Sequence, residues 1–202
     1  LPSTQQKYLF SWQFYSTATT ILSMILIDVL GFYAAIDGDS TDAQILDNTQ
    51  TLPRYASGEG VQMLLLSAAP QTANAVATVI YTNDNGVAQS IQIGLLNNAT
   101  IGVNTLSSSN TSNTNSLSPF SALNSGDKGI RSVQSIQLSS AMGGLMTLVL
   151  VKPICHMQTG ASSVPTEKTM INQFGGRMPE ILPGAALTMI GTVSAAITPS
   201  PS

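Results

Sequence analysis

Cys155 and His156 are the residues best suited to nucleophilic chemistry, since each is the only one of its type in the chain and the two are adjacent. A cysteine nucleophile is activated by an imidazole that lies within hydrogen-bond reach of its sulfur atom. Neighbouring side chains of a β-strand, however, point to opposite faces of the sheet. The sequence therefore predicts structural roles for both residues, with Cys155 buried.

The stretch from Asp37 to Asp42, of sequence DGDSTD, holds the main concentration of carboxylates. Closely spaced carboxylates bind calcium in many proteins. An EF-hand loop starting at Asp37 would need glycine at position 42 and glutamate at position 48, where this sequence has aspartate and asparagine. We expect a solvated loop with Asx turns, and a calcium site of another type on Asp37, Asp39 and Asp42 is the alternative.

Other catalytic signatures are missing from the sequence. It contains no Gly-x-Ser-x-Gly elbow, no Gly-Lys-Ser/Thr phosphate loop and no pair of cysteines at metal-binding spacing. Gly58-Glu59-Gly60 lacks the third glycine of a dinucleotide-binding loop. We predict that the protein is not an enzyme and uses no cofactor and no metal.

The charge content restricts the class of partner. The seven basic residues are scattered and the net charge is −3, whereas nucleic-acid binding needs a clustered basic face. Charged residues make up only 8% of the chain, while 25 Ser, 21 Thr, 12 Asn and 13 Gln supply neutral polar side chains. Such a surface can contact another protein without desolvating many ions. The composition favours a structural, protein-binding role without nucleic acid.

Four aromatic residues near the amino terminus, Tyr8, Phe10, Trp12 and Phe14, occupy every second position. This spacing is typical of a β-strand with one apolar face. We expect these rings to be assembly contacts. Two interpretations remain open: a first strand packed within its own domain, or an arm that lies on a neighbouring subunit.

The rest of the chain reads as short strands separated by turns. Strands are predicted over 29–36, 61–69 and 185–193, one hairpin over 74–82 and 87–95 closed by Asn83-Asp84-Asn85-Gly86, and a second hairpin over 133–139 and 145–151. In the first strand of the second hairpin, Gln134, Ile136 and Leu138 are predicted on one side and Val133 on the other. The strand 145–151 is expected to be central in its sheet. A short helix is predicted at 43–47.

The apolar run from Ile21 to Ile36 is interrupted by Asp28 and is shorter than the roughly 20 residues of a membrane-spanning helix. No basic segment precedes it, so we expect neither a signal peptide nor a membrane partner.

These elements predict an all-β fold, a single β-sandwich of jelly-roll-like form with an extended N-terminal arm. The arm or first strand covers residues 1–20, the sandwich covers 21–197, and an extended tail covers 198–202. The polar, low-complexity stretch from Asn104 to Ser116 is expected to be a surface loop.

Two segments carry a resemblance to a known group. The segment 36–70, which contains LPRY before a Gly-rich turn, and the segment 126–154, which begins GDKGIRSVQSI, resemble tailed-bacteriophage virion proteins of the head cement or decoration type. The resemblance implies a jelly-roll-like protein, often a homotrimer, on the outer surface of the capsid. It implies the major capsid protein as partner and supplies no catalytic residues.

Other functions remain open at this point. The chain fits another virion component, such as a neck, tail or fibre-base protein. It also fits a carbohydrate- or host-surface-binding β-sandwich, and an enzyme such as a glycan hydrolase is the least favoured class. A carbohydrate-binding module should present aromatic rings on exposed loops.

Overall fold

The computed structural model describes residues 6–14, 22–95, 108–109, 119–158, 166–169 and 178–193. The regular elements in these ranges are all β-strands, so the predicted all-β class is confirmed. The strands are β1 (Lys7–Tyr8), β2 (Ser11–Phe14), β3 (Leu22–Asp37), β4 (Gln44–Ile45), β5 (Gln62–Ser67), β6 (Ala75–Asn83), β7 (Ala88–Leu95), β8 (Ser108–Ser109), β9 (Ile130–Leu138), β10 (Leu145–Gln158), β11 (Thr166–Thr169), β12 (Glu180–Ile181) and β13 (Leu187–Val193).

The chain divides into two compact units. The larger is Val29–Lys152, and the smaller combines Leu1–Asp28 with Pro153–Ser202. In the larger unit, one sheet has the order β4-β9-β6-β7-β8, and β5 pairs with the first half of β10. One core cluster contains buried side chains of β3, β5, β6, β7, β9 and β10, so the larger unit buries one face of each sheet as a sandwich does.

The β6–β7 hairpin confirms the clearest sequence prediction. Its register runs from Ala75 opposite Leu95 to Thr82 opposite Ala88. In the turn, the Asn83 side-chain oxygen accepts hydrogen bonds from the amides of Asn85 and Val87. Gly86 takes a φ of 79°, a conformation that glycine adopts without steric cost. The turn chemistry is therefore local.

The predicted second hairpin is wrong, because its two strands belong to different sheets. β9 pairs with β6 and β4, whereas β10 lies between β3 and β5 and is central in its own sheet, as expected. The connecting segment is anchored in the core instead of forming a tight turn. Met142 is only 1% exposed, and its amide donates to the Gly38 carbonyl while its carbonyl accepts from the Thr72 amide.

Two irregularities in β9 change which of its side chains reach the core. In its pairing with β6, β9 contains two extra residues. Followed in the direction of β6, one comes directly after the Ser135–Ile80 pair and the other directly after the Ser132–Thr82 pair. Such bulges shift the inside–outside alternation. Val133 therefore joins Ile136 in the core, and the prediction that Val133 lies on the opposite side from Ile136 is wrong.

The predicted helix at 43–47 is also wrong. Gln44–Ile45 forms the short strand β4, with Gln44 opposite Ile136 and Ile45 opposite Ser135 of β9. The Gln44 side chain accepts a hydrogen bond from the Asp37 amide and donates one to the Asp37 carbonyl. Tertiary pairing thus overrides a weak local helix preference.

The smaller unit contains the predicted last strand. β13 runs antiparallel to β3, with Leu187 opposite Asp28 and Val193 opposite Leu22. Two further pairs, β1 with β12 and β2 with β11, join the amino-terminal segment to strands that the sequence analysis did not predict. They bring residues from both ends of the chain together.

Three loops of the larger unit are in contact at glycines. Gly38 donates its amide hydrogen to the Gly144 carbonyl, and a Cβ atom at Gly38 would lie 2.1 Å from the Gly143 carbonyl oxygen. A Cβ atom at Gly144 would lie 2.3 Å from the Pro70 carbonyl oxygen. These backbone approaches require glycine.

Several predictions fall on positions beyond the described residues. The proposed boundaries at 20/21 and 197/198, the tail 198–202 and most of the 104–116 loop lie there, and they stay predictions. Within that loop, Ser108–Ser109 forms β8 and pairs with Gly94 and Leu95 of β7.

Candidate interaction surfaces

The outer face of the five-stranded sheet has no charged side chain among the described residues of β6 from Val76 to Thr82 and the residues paired with them. Ala77, Val79 and Tyr81 of β6 point into the core. Because side chains alternate along a strand, the β6 residues at the intervening positions point outward, and so do the residues paired with those positions on the neighbouring strands. We call this surface the neutral face. Its side chains are Ile45, Val76, Thr78, Ile80, Thr82, Ala88, Ser90, Gln92, Ser132, Gln134, Ser135 and Gln137.

Large and small side chains alternate across the neutral face. Ile45 lies opposite Ser135, Ser135 lies opposite Ile80, and Ile80 lies opposite Ser90. The isoleucines remain in contact with solvent, with Ile45 81% and Ile80 39% exposed. Ser135, 7% exposed, forms the floor between them. These four residues therefore form a row across the sheet, with two apolar ridges that each lie beside a depression lined by a serine hydroxyl.

Polar groups on the neutral face bond with one another. The Gln134 side-chain amide donates to Thr82 Oγ1 at 2.6 Å and to Ser132 Oγ at 3.1 Å. At the edge, the Gln137 amide donates to the Thr41 carbonyl at 3.1 Å. These bonds reduce the number of donors that a partner would have to satisfy.

The four amino-terminal aromatic residues have different environments. Trp12 is half-buried and packs with Leu9 against Leu26 and Cys155. Tyr8 and Phe10 remain 45% and 60% exposed. The regular alternation is interrupted because β1 ends at Tyr8 and β2 begins at Ser11. Phe14 ends β2 and is half-buried. Their role as assembly contacts stays a prediction.

Cys155 and His156 lie on opposite faces of β10, as predicted: Cys155 is buried and His156 is exposed. His156 Nε2 instead lies within hydrogen-bond distance of Ser23 Oγ on β3, a contact that the sequence did not indicate. A serine–histidine pair is the beginning of a hydrolytic site. Ser23 is only 2% exposed, however, and this burial leaves its hydroxyl no open approach for a substrate.

The acidic loop has the predicted Asx turn. Asp37 Oδ1 accepts a hydrogen bond from the Asp39 amide at 2.9 Å, and Ser40 Oγ accepts one from the Asp42 amide at 3.3 Å. Asp39 and Asp42 are exposed. Among the described residues, no three His, Cys, Asp or Glu side chains come together at a distance suited to one metal ion.

The GDKG motif at 126–129 is part of a hydrogen-bond network. Asp127 Oδ2 accepts from the Tyr81 hydroxyl at 2.5 Å, and its Oδ1 accepts from the Asn83 side-chain amide at 2.7 Å. The Asn124 amide donates to the Tyr81 oxygen at 3.2 Å. Burial and the Asp127 carboxylate raise the pKa of Tyr81 to about 12. These hydrogen bonds give the GDKG motif a structural role.

The LPRY segment has a comparable structural role. Arg54 donates to the Val29 carbonyl at 3.0 Å. The Lys152 ammonium lies 5.2 Å from the centre of the Tyr55 ring and donates to the Glu59 carbonyl at 2.8 Å. Burial lowers the pKa of Lys152, against the smaller, opposing effect of Glu59. These contacts hold the loop against β3 and β10.

Residues 22–36 of the apolar run belong to β3. In the described part of the chain, no helix has the length and apolar character that a membrane span requires.

Comparison with known proteins found no matching family model, no match among the curated proteins and no match among the solved structures.

Proposed function

We propose that the protein is a structural virion component that binds the outer surface of a capsid and cements adjacent capsomers. The observation that carries the proposal is the exposure of two aromatic rings, Tyr8 and Phe10, in a chain with 8% charged residues. Large exposed rings are frequent anchors of protein–protein contacts, and a low overall content of charge means that fewer ions must be desolvated when such a contact forms. The major capsid protein is the proposed partner.

The attachment of these rings supports the same role. Leu9 and Trp12, on either side of Phe10, pack against Leu26 and Cys155. The exposed rings are therefore held by neighbours that are fixed in the fold. A partner that covers Tyr8 and Phe10 would have less conformational entropy to remove than if the whole segment were unanchored.

The positions of the exposed rings favour a protein partner over a glycan. A glycan-binding module is expected to present rings on loops, whereas Tyr8 and Phe32 lie within strands and Phe10 lies in the two-residue gap between β1 and β2. The neutral face contains no aromatic side chain among its described residues. A neck, tail or fibre-base protein would use the same chemistry and differs only in its location.

The homotrimer and the jelly-roll form of the sandwich belong to this proposal. Both rest on the resemblance of the segments 36–70 and 126–154 to head cement proteins. The larger unit contains its own core cluster, so the trimer need not be obligatory for folding of that unit.

Particles of the virus that encodes the chain provide the test. Cryo-electron microscopy should locate the protein on the capsid exterior, and particles without it should lose DNA at a lower temperature. Adding back the wild-type protein should restore the heat resistance, as should the control Phe32→Ser, while Tyr8→Ser with Phe10→Ser should not. Location only at the neck or tail, or unchanged heat resistance without the protein, would contradict the cement function.

A further inference from the structure

The neutral face has the features of a surface that pairs with itself. Its central row reads Ile45, Ser135, Ile80, Ser90 across four neighbouring strands. Read from the other end, the row exchanges each isoleucine for a serine. A second copy turned by a two-fold rotation about an axis parallel to the strands would therefore place every isoleucine over a serine.

We propose that two copies of the chain associate face to face through the neutral face. Ile80 of one copy packs over Ser135 of the other, and Ile45 packs over Ser90. The axis lies between β9 and β6, so the contact is isologous. Face-to-face sheets pack about 10 Å apart with interdigitating side chains, which suits a row of alternating large and small residues.

Charge also favours a second copy. A two-fold axis brings side chains that lie beside the axis close to their own equivalents in the other copy, so charged residues there would place like charges close together. The described side chains of the neutral face are uncharged. Its hydroxyl and amide groups can bond across the interface in either direction, because each type offers both a donor and an acceptor.

The area of the face sets the strength of the contact. Four strands spaced about 4.8 Å apart and seven residues rising about 3.4 Å each cover roughly 450 Å² per copy. Two copies would bury on the order of 900 Å², less than the roughly 1,200–2,000 Å² of a stable interface. The dimer should therefore form only at high concentration, or where copies are held side by side on a scaffold. This contact does not depend on the capsid function.

Sedimentation velocity of the purified full chain tests the pairing. Between about 5 µM and 500 µM, the sedimentation coefficient should rise with concentration for the wild type. The variants Ile45→Lys and Ile80→Lys should reduce the associated fraction at least about tenfold, because each buries an unpaired ammonium in the interface. Val87→Lys is the matched control: Val87 is 52% exposed, lies in the β6–β7 turn outside the neutral face and should leave association unchanged.

Crosslinking tests the two-fold geometry separately. A mixture of one protein carrying Ile45→Cys and another carrying Ser90→Cys should form a crosslinked heterodimer with a short bismaleimide. Neither variant alone should do so to the same extent, because the axis pairs position 45 with position 90 of the other copy.

The result that overturns the proposal is clear in each assay. Wild-type protein that shows no concentration-dependent association, or association that both lysine variants leave unchanged, excludes the neutral face as the interface. An oligomer sensitive to the lysines but without the 45–90 crosslink excludes the two-fold arrangement. Ile45 is 81% exposed, so Ile45→Lys is decisive even if Ile80→Lys fails to fold. The heat resistance of particles, which tests the capsid function, is a separate measurement.

Discussion

The hydroxyl of Tyr81 donates a 2.5 Å hydrogen bond to the carboxylate of Asp127, although the two residues are 46 positions apart in the chain. Tyr81 is fully buried and belongs to the core cluster, whereas Asp127 lies in the GDKG loop. The bond fixes that loop against the end of the β6–β7 hairpin. It joins the most recognisable loop motif of the sequence to the core.

Removing the carboxylate should destabilise the fold. In Asp127→Ala, the Tyr81 hydroxyl and the Asn83 side-chain amide lose their acceptor, and we expect the free energy of unfolding to fall by about 1–3 kcal/mol. Asp42→Ala, in an exposed loop, is the control and should change it by less than about 0.5 kcal/mol. Urea denaturation measures both. Equal stability of the two variants would show that the network contributes nothing.

The same pair predicts a loss of stability at alkaline pH. The pKa of Tyr81 rises from 10.0 to about 12 in the fold, so the native state favours the neutral phenol. Its contribution is fully present below pH 10 and is lost as the pH rises towards 12. Tyr81→Phe should remove this component of the pH dependence and lower by one the number of phenols that ionise late in an absorbance titration. Tyr33, whose pKa burial also raises, should still ionise late in the variant. A variant that keeps the full number of late phenols would contradict the assignment.

The close approach of the glycine-containing loops predicts that position 144 does not tolerate a residue larger than glycine. Gly144 has a φ of 70°, and an added Cβ would lie 2.3 Å from the Pro70 carbonyl oxygen. Gly144→Ala should therefore lower the free energy of unfolding by about 2–4 kcal/mol through overlap and backbone strain. At Gly31 no atom lies within 4 Å of the added Cβ, and Gly31→Ala should be neutral or slightly stabilising. Similar denaturation midpoints for the two variants would be inconsistent with this account.

The success of each sequence prediction depends on how local its cause is. The β6–β7 hairpin could be predicted because Asn83 and Gly86 define the turn within a few residues. The pairing of β9 with β6 could not be predicted. Both strands that could pair with β9 have strongly β-forming sequences, so the choice between them depends on the whole core. The residues added to β9 by its bulges also have no signature in the pattern of the strand.

The candidate interaction surfaces also depend on residues that are distant in the chain, so the sequence predicted them only in part. The spacing of Tyr8 and Phe10 indicated a strand but not that both rings would be exposed, because exposure depends on distant partners. The neutral face combines Ile45, Ile80, Ser90 and Ser135 from four separate strands. Low charge was its only signal in the sequence. Ser23 and His156 are 133 positions apart, and nothing local indicated their contact.

The environment of Cys155 predicts an unreactive thiol. Cys155 is 6% exposed and packs with Leu26 in a cluster that includes Trp12. A thiol reagent should modify it only when the structure opens, so its rate should be lower, by at least about a hundredfold, than that of an exposed thiol introduced as Val87→Cys, at a position that is 52% exposed. Denaturant should make the two rates converge. Cys155→Ser should fold with a loss of roughly 1–3 kcal/mol, because a hydroxyl replaces sulfur in an apolar cluster. Fast modification of the native wild type, or full loss of particle binding by a folded Cys155→Ser variant, would instead indicate a chemical role for the thiol.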